Sequence, residues 1–148
     1  MTMRRLTHVP RFVSAIAIGL GCLDLVRGFM HTILLRYAAL NIAGLDLTTS
    51  LAGDLLRLLG TFGISNYVTG IMLILVGWKA RPLALTMLGV IPIAYAVGVA
   101  GIRANSSSYP PSQSAWGGAT MMMVYLALCA VTFIAGTWVT LRRKGVDQ

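Results

Sequence analysis

Glutamate is absent from this chain, and aspartate occurs only four times, at positions 24, 46, 54 and 147. So few carboxylates cannot supply a multi-carboxylate metal centre, which needs several hard oxygen ligands at one point. Histidine is almost as scarce, with His8 near the start and His31 in an apolar stretch. One membrane-embedded His cannot make a bis-His haem site. Cysteine is limited to Cys22 and Cys129, both inside apolar runs and in no C-x-x-C pattern. Thiol–disulfide chemistry and a structural disulfide are therefore not expected, and each Cys reads as a small buried hydrophobe. No H-E-x-x-H, G-x-S-x-G or P-loop pattern occurs, so no catalytic and no metal-binding residue is assigned.

Charge of any kind is short: 11% of residues are charged against 57% hydrophobic. A soluble domain carries roughly 25% charged residues. The apolar residues also fall in long runs, not in short alternating ones, which marks membrane spans over a water-soluble core. The net charge of +8 comes from ten Arg and two Lys, a skew suggesting a GC-rich bacterial genome. In a soluble chain such a balance would point to nucleic acid. Here the basic residues stand at the ends of the apolar runs, where the positive-inside rule and anionic lipid place them. No basic stripe interleaved with aromatics is present, so nucleic acid is not a partner.

Four runs of about twenty residues match the roughly 30 Å apolar thickness of a bilayer. They lie at about 12–35, 58–78, 82–102 and 116–141 within 148 residues, one membrane domain in all. Pro10 precedes the first, and Pro82 takes a first-turn position in the third. Residues 1–11 followed by an apolar run superficially resemble a signal peptide. Asp24, Arg27 and His31 interrupt any such region and no A-x-A site follows at a suitable distance, so the first helix is expected to be retained. The fold expected is all-α: a four-helix up-down bundle in the membrane.

Orientation follows from the cations. Arg4, Arg5, Arg11, Lys79, Arg81, Arg142, Arg143 and Lys144 make eight on one side, against Arg36, Arg57 and Arg103 on the other. The larger group belongs inside, so both termini are expected in the cytoplasm and the protein in the bacterial inner membrane. Trp78, Trp116 and Trp138 fall near span ends, where aromatic belts form. Outside, residues 37–57 should turn and then add an amphipathic helical turn at the interface or extend the second helix. Residues 105–114, with Pro110 and Pro111, should form a plain loop.

Small residues mark the packing. Gly63, Gly70 and Gly77 recur every seventh position in the second span, Gly21 and Gly28 do so in the first, and Ala94 and Gly98 pair in the third. Such seams let backbones approach closely, within one bundle or across a homodimer. Pro92 should kink the third span and free a carbonyl near residue 88.

The strongest chemical signal is Asp24, Arg27 and His31. Offsets of three and seven residues are rotations of roughly 300° and 700°, which place all three on one helix face. A charge at mid-bilayer costs at least about 2.5 kcal/mol, so this face must point into the bundle. Either Asp24 and Arg27 only neutralise each other and fix helix register, or they form part of a site. Other polar residues fall at matching depth: Ser65, Asn66 and Thr69 in the second span, Tyr95 and Arg103 in the third, Thr120 and Tyr125 in the fourth. An outward-facing polar pocket is expected from Asp24, Arg27, His31, Asn66, Tyr95 and Arg103.

The size, the four-span layout and the pattern Gly19-x-Gly21-x-x-Asp24-x-x-Arg27-Gly28-x-x-His31 resemble the DoxX-like small membrane proteins. The resemblance implies an accessory membrane protein, with some relatives serving as membrane subunits of quinone-linked oxidoreductases. It carries over no catalytic residue. The related vitamin K epoxide reductase group relies on a C-x-x-C that this chain lacks. Three functions follow as expectations. The first is a non-enzymatic pocket for a lipid- or quinone-like molecule or for a partner subunit. The second is a subunit of a quinone-linked oxidoreductase. The third is a small dimeric proton-coupled transporter with Asp24 as carrier, which a partner one turn away at Arg27 disfavours. No cofactor is assigned, although quinone fits the first two.

Overall fold

The computed structural model describes residues 9–106 and 118–146, with side chains to Arg143. Arg4, Arg5, Trp116, the Pro110–Pro111 loop and the Lys144 side chain, all used above, lie outside the described residues. Among the described residues there are five helices and no strand: α1 Arg11–Thr32, α2 Leu35–Asn41, α3 Ala52–Lys79, α4 Arg81–Ser106 and α5 Ala119–Val146. Four of them, Arg11–Thr32, Ala52–Lys79, Arg81–Ser106 and Ala119–Arg143, are long and apolar enough to cross a membrane. The protein is an all-helical, multi-pass membrane protein.

Each expected span falls on one of these helices, but the ends differ. α1 begins after Pro10, whose carbonyl accepts the Val13 N–H at 3.2 Å. It stops at Thr32, short of the expected Leu35. There the N–H groups of Ile33 and Leu34 both turn back to the Phe29 carbonyl, at 2.9 and 3.2 Å. The widened turn redirects the chain into α2, which buries Ala38 and Ala39 and leaves Tyr37 and Leu40 exposed. Gly44 takes a positive φ of 63°, open to glycine at little cost. Past it, Asp46 accepts both the N–H (2.8 Å) and the hydroxyl (2.7 Å) of Thr48. These donors hold the Asp46 carboxyl below the usual carboxylate range. α3 then starts at Ala52, so the segment before Leu58 extends the second span. A single residue, Ala80, separates α3 from α4, and α4 stays helical through Pro92.

α1 packs chiefly on α3, and the glycine seams are what bring them together. A Cβ at Gly21 would lie 2.7 Å from the Gly70 carbonyl oxygen, and one at Gly70 the same distance from the Gly21 oxygen. Gly77 faces Ser14, Ala17 and Ile18, and Gly63 faces His31 and Thr32. The two helices thus run antiparallel, with backbone against backbone. On the other side Gly89 receives the Phe133 ring of α5, and Gly136 of α5 receives Leu85 and Val13.

The core is built from Val13, Ala17 and Leu20 of α1, Leu73 and Val76 of α3, Ala84 and Leu88 of α4, and Tyr125 and Cys129 of α5. These residues lie in the half of the bundle that ends in Arg11, Lys79, Arg81 and Arg142. At that end the Lys79 ammonium sits 5.3 Å from the Trp78 ring, and the Arg142 guanidinium 3.8 Å from the Trp138 ring. Beyond the core, α4 leaves its neighbours: from Ile93 to Ser106 every residue except Tyr95 is exposed. Cys22 faces outward and Cys129 lies in the core, both as free thiols.

Two glycine changes separate close contact from open surface. Gly70→Ala should lower the thermal unfolding midpoint in detergent, because overpacking against backbone costs about 1–3 kcal/mol. Gly98 has nothing within 4 Å of a Cβ position. Gly98→Ala should therefore leave the midpoint unchanged or raise it, since Ala is favoured over Gly in a helix by up to about 1 kcal/mol.

Candidate functional site

Asp24 sits at the level where the core ends, and it is only 2% exposed. Its carboxylate needs donors from the protein, since neither hydrocarbon nor packed side chains can supply them. Two are in place. Arg27 Nη1 donates to Oδ1 at 3.2 Å, one turn along the same helix. Tyr125 of α5 donates its hydroxyl to Oδ2 at 2.8 Å. Arg27 also lies 5.8 Å from the centre of the Tyr125 ring, within cation–π reach. Asp24, Arg27 and Tyr125 form one closed cluster in which every pair is in contact.

Asn66 of α3, 5% exposed, stands beside this cluster. Its amide Nδ2 meets His31 Nδ1 at 3.4 Å, and the His31 ring tilts at 42° against Phe62. Glycines set this contact. A Cβ on Gly63 would come within 2.8 Å of His31 Cβ, so only glycine lets α1 settle here. One turn back along α1, Gly28 lies under the Tyr67 ring, whose hydroxyl meets Thr32 Oγ1 at 3.0 Å.

Between these residues and α4 lies a cleft of about 220 Å³. Asp24, Asn66, Thr69 and Tyr125 make a polar wall, while Val90, Ile91 and Ala94 make an apolar one, with Tyr95 beside it on α4. Val90 and Ala94 are themselves exposed, so the mouth opens on the side of the molecule where α4 parts from the bundle.

Of the residues expected in a pocket, Asp24, Asn66 and Tyr95 line the cleft. Arg27 and His31 stand behind it, holding Asp24 and Asn66. Arg103 does not belong to it. It is exposed near the end of α4, two turns beyond Tyr95 on the unpartnered half of the helix. Tyr125 and Thr69, noted only as polar residues at similar depth, are part of the wall. Tyr125 carried a readable signal. Met122, Tyr125, Cys129, Thr132 and Gly136 alternate in steps of three and four and are all buried, which makes Tyr125 part of the inward stripe of α5. Ser65 and Thr120 are exposed.

Comparison with protein-family models, with curated proteins and with solved structures finds no match for this chain. What the site can do therefore rests on its own chemistry. An ion pair embedded in apolar surroundings on α1 is tied to a second helix, α5, by a phenol. The same groups line a small amphipathic cleft.

The coupling within the cluster is measurable. Removing one member of a buried pair leaves an uncompensated charge and costs about 3–5 kcal/mol. Asp24→Asn and Arg27→Gln should each lower the unfolding midpoint in detergent, and the double variant should recover part of the loss. Strictly additive losses would show the two side chains to be independent. Tyr125→Phe should cost less, about 1–3 kcal/mol for one hydrogen bond to a charged group.

Proposed function

We propose that this chain is a small protein of the bacterial cytoplasmic membrane, with both termini inside, whose cleft takes up an apolar molecule with a polar head. A lipid- or quinone-like compound fits this description, as does an apolar segment of a partner subunit. The observation that carries the reading is a buried carboxylate with two donors facing a cleft of about 220 Å³. Polar side chains inside a membrane are expensive to keep and usually mark a site. A purely structural ion pair would need no space beside it.

The orientation rests on the cations. Arg11, Lys79, Arg81, Arg142 and Arg143 gather at the core end of the bundle, while Arg36, Arg57 and Arg103 stand toward the other. With the first group inside, the four spans alternate as an up-down bundle, and the cleft opens toward the outer half of the membrane. The reading assigns no catalytic residue. It agrees with the resemblance of the first span to DoxX-like proteins, which implies an accessory role.

Two experiments test it. Single cysteines placed by Thr48→Cys and Ala80→Cys should report the orientation. An impermeant thiol reagent should label the first in intact cells and the second only after permeabilisation, and labelling of Ala80→Cys in intact cells would reverse the topology. For the cleft, His31→Ala, Asn66→Ala and Tyr95→Phe should express, with Tyr95→Phe melting like the parent and the first two somewhat lower because they remove the His31–Asn66 contact. They should lose bound lipid or quinone detected by mass spectrometry, together with the stability that ligand confers. Retention of the same bound molecules by all three variants would refute the pocket. Failure of all three to express would make these residues interhelical hydrogen-bonding groups.

A further inference from the structure

The cleft's polar wall has committed most of its donors and kept its acceptors. The Tyr125 hydroxyl proton goes to Asp24 at 2.8 Å, and the Thr69 hydroxyl proton goes to the Ser65 carbonyl at 3.0 Å. The Asn66 amide meets His31 through Nδ2, which commits one N–H and leaves the second free. Arg27 donates to Asp24 and is not part of the lining. What these lining residues keep uncommitted is the remaining lone-pair capacity of the Asp24 carboxylate, of the Tyr125 and Thr69 oxygens and of the Asn66 carbonyl oxygen, against one Asn66 N–H. Tyr95 adds a hydroxyl that works in either sense. A ligand head carrying only acceptors would meet mostly acceptors.

Charge narrows the choice. Asp24 and Arg27 cancel within one turn, so the wall together with the guanidinium behind it carries no net charge. An ammonium head would bring an unbalanced charge into a site with little water, which is costly. A phosphate or carboxylate head would add a second anion beside Asp24. A neutral O–H donor meets neither penalty. Volume narrows it again. An apolar cavity of roughly 150 Å³ accommodates benzene. The 220 Å³ here hold one ring with a substituent, its flat face against Val90, Ile91 and Ala94. A tail would leave through the mouth beside α4.

We infer that the cleft selects a neutral, hydroxyl-bearing ring on an apolar tail, a phenol or hydroquinone head, over carbonyl-only, cationic and anionic heads of the same size. This rests on the ligand-binding reading above and adds the class of ligand. A single hydrogen bond into a partly charged acceptor set gives about tenfold in affinity.

The test uses the full chain in nanodiscs of zwitterionic lipid and four probes of equal tail: 4-octylphenol, 4-octylanisole, 4-octylbenzylamine and 4-octylbenzoate. Binding is measured by calorimetry and by the shift in unfolding temperature. 4-Octylphenol should bind about ten times more tightly than the anisole, which differs only by the methyl cap on its oxygen. The amine and the benzoate should bind no better than the anisole. Ala94→Phe fills the cleft from an exposed position and should abolish phenol binding without lowering the unfolding midpoint of the free protein. Equal binding of phenol and anisole would overturn the donor preference and leave the pocket standing. So would tighter binding of the amine or the benzoate than of the phenol. Phenol binding that survives in Ala94→Phe would place the ligand elsewhere and overturn the inference. No saturable binding of any probe would remove the pocket reading as well.

Discussion

A carboxylate in the middle of an apolar helix has to find its hydrogen-bond donors inside the protein, and most of this architecture follows from how Asp24 does so. Arg27 is supplied by the same helix three residues on and cancels the charge. That alone would leave Oδ2 unsatisfied in surroundings where each missing hydrogen bond costs on the order of 1–3 kcal/mol. Tyr125, 101 positions away in the chain, completes the shell. That phenol joins α5, which packs mainly on α4, to α1, and Asp24 marks the height at which the packed core gives way to the cleft.

Close approach of α1 and α3 is the second requirement, and it is met by what the helices leave out. Gly21 and Gly70 touch through their backbones, so the hydrophobic effect, which is weak between helices in lipid, is replaced by dispersion across a large contact. The same closeness delivers His31 to Asn66 through Gly63. Packing and site are thus one arrangement.

The four spans were legible because a bilayer imposes a length and an apolar composition that a sequence either meets or does not. The glycine seams of α1 and α3 were legible for a similar reason, since sevenfold spacing of small residues has few uses other than helix contact. The break at Ile33 and Leu34 was not, because it depends on a turn closing on the Phe29 carbonyl, and apolar residues on both sides hide it. The Asp24–Arg27 pair could be read from spacing within one helix. Its Tyr125 partner could not, because depth along a span does not say which face meets which neighbour. Arg103 shows the same limit in reverse: it shares a helix with Tyr95 and lies on the exposed end.

The two cation–aromatic pairs, Lys79 on Trp78 and Arg142 on Trp138, stand at one end of the bundle, on α3 and α5. Indole rings settle at the headgroup boundary, so these pairs anchor one edge of the protein to a fixed depth in one leaflet. The far ends of α3 and α4 are long, and among the described residues that end of α4 is exposed except at Tyr95. A bilayer of different thickness is then accommodated by tilt at the unanchored end. The mouth of the cleft lies on that side of the core, at the end whose depth in the membrane these pairs do not fix.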